Sequence, residues 1–302
     1  MVGARVKKEG DDTIRRRKAL RRVDVELEKG NFKTALSLVK QSQGKPGGLR
    51  GFGAVKLVPK RISTLDELEL NEADKISLHS SVNSILDSVK CCMQFGLEED
   101  DEVGQLLGQE SLTYGDCCDT LSNDRVMHLQ HEAGHFVVGY LLGVFPKRYG
   151  VPSMEDLVKD NFAGGKVEFL GFEFLREVCT AALSNINCID RKQNNEVYRC
   201  TISSKTLNRF LCVILGGLAA EHLTFGYSEL LHSDVEKLDR VLKWLGFCQD
   251  EANWRIKWAA MNTVLILRQH NEATSNVAEA MASGRSIGFC IDAIESTLSN
   301  GK

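Results

Sequence analysis

The stretch that decides the fold is LQHEAGHFVVGYL, residues 129–141. Its apolar residues recur at intervals of three and four, which is typical of the buried face of an α-helix. The same helix carries HEAGH at residues 131–135, a full match to the H-E-x-x-H pattern. Histidines four residues apart project from one helical face, so His131 and His135 can reach the same cation. Glu132 would lie beside the open position of the metal, where it can take a proton from water.

A catalytic zinc needs three protein ligands, so a downstream Asp, Glu or His must complete the site. Asp234 is the main candidate, because it lies at the predicted start of a helix and its carboxylate can face back towards the cleft. An aspartate at that position also commonly caps the helix, and this alternative stays open. His222 and His232 are further candidates as ligands. We expect His128 to be a surface histidine or an outer partner of the site.

Four stretches together resemble the peptidase domain of FtsH-type zinc metalloproteases. They are HEAGH, LGGLAAE at residues 215–221, Phe-Gly at 225–226 and SDVEK at 233–237. The resemblance covers roughly residues 122–270. More closely, the whole chain resembles plant FtsH-like peptidase-domain proteins that are associated with chloroplasts and lack an ATPase module. This resemblance implies a chloroplast location, although the N-terminus contains no clear transit peptide.

The resemblance implies a site and an activity. Zinc would be bound by His131, His135 and Asp234, and Glu132 would act as the general base in hydrolysing peptide bonds of unfolded or flexible proteins. The chain departs from the family pattern at Leu218, where arginine is usual, at His222, where a second glutamate is usual, and at Ser233, where asparagine is common. These departures leave the implied ligands in place, but altered surroundings can weaken metal binding tenfold or more.

A second departure concerns ATP. The glycine-rich residues 47–56 lack the Gly-Lys-Ser/Thr ending that a P-loop requires, and no other stretch matches one. The chain would therefore cleave only substrates that are already unfolded, or borrow a motor from FtsH-type AAA+ subunits. The alternative is a non-proteolytic FtsH-like scaffold or partner protein that keeps the peptidase fold. The sequence also leaves open whether the chain forms a homo-oligomer.

The pattern predicts a mainly α protein with a small β element. We expect a basic helical hairpin at 1–43 that resembles a single tetratricopeptide unit, a linker and acidic helical region at 44–121, and the peptidase domain at 122–300. Within that domain we expect a strand at Gly165–Phe174, which could receive an extended peptide. The helices expected after the strand are near Ser203–Phe225, Asp234–Leu245, Glu251–Gln269 and Asn276–Asn300.

The charge distribution and the hydropathy of the chain limit the classes of partner that we expect. At 302 residues, 43% hydrophobic and 26% charged, the composition is that of an ordinary globular protein. Basic residues dominate the first 60 positions, whereas residues 98–102 are all acidic. The basic arm is expected to be a solvated tail or a helix packed on the acidic segment, and nucleic-acid binding is not favoured. No apolar run reaches the length of a membrane-spanning helix.

Overall fold

The computed structural model describes residues 2–59, 70–95, 114–160, 163–178 and 202–300. It begins with the two helices predicted for residues 12–42. Helix α1 covers Val2–Glu28 and α2 covers Phe32–Ser42. The turn between them contains Gly30 at φ 76°, a conformation that favours glycine. Both helices of the hairpin contribute buried apolar side chains. They are Leu20 and Val23 from α1, and Ala35 and Val39 from α2.

The glycine-rich segment after the hairpin is packed rather than exposed. Leu49 and Phe52 are buried, and the backbone N–H groups of Arg50 and Gly51 donate to Glu295 at 2.8 and 2.7 Å. The predicted linker is therefore held to the protein at Arg50 and Gly51, because these backbone groups have a carboxylate partner from a later helix. Helix α3 follows at Glu72–Phe95, while the acidic run at 98–102 lies outside the described residues.

Helix α4, Tyr114–Leu141, contains the HEAGH sequence and runs through the middle of the core. Beyond it, β1 (Phe145–Gly150) pairs antiparallel with β2 (Lys166–Leu170), and the short α5 (Met154–Lys159) lies between them. The strand predicted at Gly165–Phe174 is thus confirmed over β2. Prediction missed β1, because Pro146 suggested a loop. The register shifts between Pro146 and Arg148, which accommodates a residue that has no N–H to donate.

The remaining described residues are mainly helical. Residues 175–178 form one helical turn, and six longer helices follow: α6 Ser204–Ile214, α7 Gly216–Phe225, α8 His232–Trp244, α9 Gln249–Gln269, α10 Asn271–Ala282 and α11 Ile287–Asn300. Two of the predicted helices are each divided in the structure. The first is interrupted at Leu215, directly before Gly216-Gly217, and the second at a turn that contains Gly284 at φ 60°.

A close crossing of α4 and α7 sets the position of the site. A β-carbon on Gly134 would lie 2.6 Å from Ala220 Cβ, and one on Gly216 would lie 3.0 Å from Gly134 O. Side chains would therefore hold the helices apart, and glycine at both positions lets the backbones touch. The protein is mainly α with one two-stranded sheet, as predicted. Within the described residues, no helix combines the length and the apolar character needed to cross a membrane.

Helices from the two ends of the chain meet in buried polar contacts. Arg16, 7% exposed, donates to Asp292 at 2.6 Å, and Asp24 accepts hydrogen bonds from Ser286 and Gly288. Burial raises the pKa of Asp24, although these two hydrogen bonds oppose the shift. Helix α1 is therefore packed, and its partner in these contacts is α11, which lies outside the acidic segment on which packing was predicted.

Candidate metal centre

The structure brings His131, His135 and Asp234 together in one buried cluster. One nitrogen or oxygen atom of each lies within 4.8 Å of the others, and the three residues are 4–6% exposed. Helix α4 supplies the histidines one turn apart, and the first turn of α8 supplies the aspartate. Asp234 makes no capping hydrogen bond to its helix, since the N-cap position belongs to Leu231. Its carboxylate is therefore available to the cleft.

The distances within this cluster suit a small cation. Asp234 Oδ2 lies 3.1 Å from His131 Nε2 and 2.8 Å from His135 Nε2, and the two nitrogens are 2.9 Å apart. In a tetrahedral site with bonds of about 2.0 Å, ligand atoms lie roughly 3.3 Å apart. The three atoms thus need to open by only a few tenths of an ångström to surround an ion. This cluster could hold a metal ion.

Each histidine is oriented by a second hydrogen bond. His135 Nδ1 donates to the backbone oxygen of Val213 at 2.7 Å. His131 Nδ1 donates to Glu221 Oε1. Both contacts place the N–H on Nδ1 and leave Nε2 to face the cluster, the arrangement usual for metal-binding histidines.

Glu221 is the functional residue that sequence reasoning missed. It is fully buried on α7, and its other oxygen accepts the backbone N–H groups of Glu229 and Leu230 at 2.8 and 3.3 Å. Burial raises its pKa, but the hydrogen bond from His131 and these backbone donors outweigh burial and lower it. A glutamate in the otherwise apolar stretch LGGLAAEH was the available signal, because a buried carboxylate needs a partner.

The electrostatics of the cluster favour charged groups despite burial. Burial lowers the pKa of His131, but hydrogen bonds to Asp234 and Glu221 outweigh it and raise the pKa to about 10. Burial raises the pKa of Asp234, but the two histidines hold it well below its usual value. The carboxylates therefore favour positive charge at this point, whether it is carried by a proton or by a metal.

Glu132 lies next to the cluster with an unused oxygen. It is 3% exposed, lines the same cleft as the three candidate ligands, and its Oε2 has no hydrogen-bond partner among the residues that the structure describes. Burial raises its pKa, against the opposing effect of the histidines. A β-carbon on Gly165 would lie 2.7 Å from Glu132 Cγ, so the segment before β2 packs directly on this side chain. A buried carboxylate without a partner is costly and marks a position where a ligand is expected.

The cleft has a volume of about 360 Å³ and one strongly apolar wall. That wall contains Phe169 and Phe172 from β2 and the following turn, and Phe210, Val213 and Ile214 from α6. Lys147 and Lys166 hold Glu168 at 3.3 and 3.1 Å on the side of the sheet. Lys237 binds Asp234 Oδ1 at 3.0 Å. The cleft can therefore accommodate a peptide chain whose apolar side chains contact the wall while its backbone lies beside the polar cluster.

The other candidate histidines lie outside the cluster. His222 Nε2 contacts Ser88 Oγ at 3.2 Å, and His232 Nδ1 contacts Cys92 Sγ at 3.3 Å, so both face α3. His128 is 6% exposed and therefore is not a surface residue.

No model of a protein family, no curated protein and no solved structure matches the chain.

Proposed function

We propose that this protein is a zinc-dependent metallopeptidase that hydrolyses peptide bonds of unfolded or flexible proteins. The observation that carries the proposal is the convergence of His131 Nε2, His135 Nε2 and Asp234 Oδ2, with the unpartnered Glu132 Oε2 beside them. These three residues would hold the ion. Zinc, when bound, polarises a carbonyl oxygen and lowers the pKa of a water to roughly 7.

Glu132 supplies the acid–base chemistry. Its Oε2 is free to accept a proton from the attacking water and to return it to the leaving amine. Burial raises its pKa and brings it closer to neutral pH, where a general base both accepts and releases a proton efficiently. The same burial keeps bulk water away from Glu132, so the proton stays within the site.

Substrate position follows from β2 and the apolar wall. Among the described strands β2 pairs only with β1, and its residues 166–169 line the cleft beside Glu132. An extended peptide can hydrogen-bond to such a strand and place alternate side chains in the cleft. Phe172 and Phe210, with rings 5.5 Å apart, offer an apolar surface to one of these side chains. This geometry requires an unfolded segment, since a folded substrate has no free extended chain.

Metal content and hydrolysis test the proposal together. We expect one zinc per chain by elemental analysis, lost in His135→Ala and in Asp234→Ala, and cleavage of casein by the wild type. Glu132→Gln should keep zinc and lose at least about a hundredfold in turnover, since general-base catalysis is worth that much. The matched control is Glu236→Gln, an exposed glutamate on α8 that does not line the cleft.

Three results would contradict the proposal. Full activity of Glu132→Gln would exclude the general base. Iron in place of zinc would point to oxygen chemistry, which also uses two histidines and a carboxylate. Zinc without hydrolysis, alone or with FtsH-type AAA+ subunits, would favour the non-proteolytic scaffold.

A further inference from the structure

The basic residues of α1 fall into two groups. Over residues 10–28, three arginines are each paired with a carboxylate at 2.6–3.1 Å: Arg15, Arg16 and Arg17. The other three are exposed and form no ion pair or side-chain hydrogen bond within the part of the chain that the structure describes: Lys18, Arg21 and Arg22. Arg16 and Arg17 attach α1 to Asp292 of α11, Arg15 pairs with Asp11 within α1, and the second group has no such partner.

The unused cations lie along one groove between α1 and α2, which we call the hairpin groove. It has a volume of about 380 Å³ and is lined by Lys18, Arg21, Arg22, Val25, Thr34 and Leu38, together with Glu26. Val25 is 45% exposed, although it is a large apolar side chain. The groove therefore combines a row of cations with an uncovered apolar surface.

The only acidic residue lining this groove does not neutralise the cations. Glu26 Oε1 is bound by Lys29 at 2.9 Å, and its Oε2 by Asn31 at 2.9 Å. Because both oxygens are occupied at the turn of the hairpin, Glu26 is not available to Arg21 or Arg22. The groove keeps a net positive charge and matches an acidic ligand.

We propose that the hairpin groove binds an extended acidic segment of a partner protein. Two or more carboxylates would contact Lys18, Arg21 and Arg22, and one apolar side chain would pack against Val25 and Leu38. Lys18 and Val25 are seven residues apart on a helix, a distance of about 10 Å. An extended chain covers that distance in about three residues. The predicted ligand therefore has its carboxylates within about three residues of an apolar side chain.

The shape and charge of the groove favour a peptide over two other anionic ligands. A lipid surface would contact apolar groups on a convex face, whereas Leu38 lies in the recess between two helices. A nucleic acid would use a longer row of cations and would gain nothing from Val25 and Leu38. The peptide alone uses both the cations and the apolar surface.

Fluorescence anisotropy with the full-length chain tests this proposal. The probe is a labelled peptide of about twelve residues with two adjacent glutamates and a leucine three residues later. We expect it to bind, and Arg21→Glu/Arg22→Glu to weaken binding at least about tenfold, because two attractions become repulsions. The matched control is Lys33→Glu/Lys40→Glu, which makes the same charge change on exposed residues of α2 that do not line the groove.

Further probes decide the ligand class. Replacing the glutamates with glutamine should abolish binding, replacing the leucine with serine should weaken it, and Val25→Ser should weaken it in the same way. Equal loss in both double variants would show a non-specific charge effect and would overturn the proposal. Tighter binding of single-stranded DNA or anionic vesicles, with no competition by the peptide, would also overturn it. His135→Ala should bind the peptide normally, so the outcome is independent of the metal centre.

Discussion

Gly217→Ala tests the metal centre without altering any candidate ligand. A β-carbon at Gly217 would lie within 2.6 Å of three atoms of the His131 ring, whereas ordinary contacts begin near 3.4 Å. The ring must therefore retreat by at least about 0.8 Å, or α7 must move by that amount. Metal–ligand distances tolerate about 0.2 Å of error, so the displacement is at least about four times what the site can absorb.

The ring of His131 has no free direction in which to retreat. Its Nδ1 is held by Glu221, which is on the same helix as Gly217, so moving α7 moves the hydrogen-bond partner as well. We expect His131 to be lost as a ligand and zinc affinity to fall at least about a hundredfold, or about 2.8 kcal/mol.

Competition against a chromophoric zinc chelator measures this affinity, and the circular dichroism of the metal-free chain reports whether it is folded. Gly150→Ala is the matched control, because a β-carbon there has no neighbour within 4 Å. A folded Gly217→Ala variant that binds zinc within about twofold of the wild type would refute the assignment of His131 as a ligand.

Three further predictions concern groups around the core. Glu221→Gln should weaken zinc binding about 10- to 100-fold in the same competition assay, because the outer partner of a ligand is lost; no change would show that this carboxylate is only structural. Tyr140→Phe should lower the free energy of unfolding by about 1 kcal/mol in urea, since it removes the 2.7 Å hydrogen bond to Glu295. Arg16→Met should cost about 1–3 kcal/mol in the same measurement, because Asp292 loses one buried hydrogen-bond partner but keeps Arg17, and no measurable cost would contradict a stabilising buried pair.

The cluster could be predicted from local rules. Histidine spacing on α4 follows from helical periodicity, and the aspartate was recognised as a candidate at the predicted start of α8. Both features depend on residues close together in the sequence. Local rules left open whether Asp234 caps its own helix or faces the cleft, because that depends on how α8 packs against α3 and α6.

The residues that prediction missed depend on contacts distant in sequence. Glu221 binds His131 across 90 positions, and Glu295 reaches Gly51 across 244. Periodicity assigns a buried face but does not identify which polar groups meet there. The break at Leu215 was missed for a similar reason: the apolar pattern continues through it, and only the crossing at Gly216 shows where α7 must begin.

The order of synthesis gives the contacts between α1 and α11 a further consequence. The hairpin leaves the ribosome well before α11, yet the carboxylates of Asp292 and Glu295 that bind Arg16 and the backbone of Gly51 belong to α11. At about 5–20 residues per second, roughly ten to fifty seconds separate the two events. During that interval Arg16 lacks its buried partner, and α1 can pack on α2 but lacks the surface of α11. The hairpin can therefore reach its native packing only after α11 has been made.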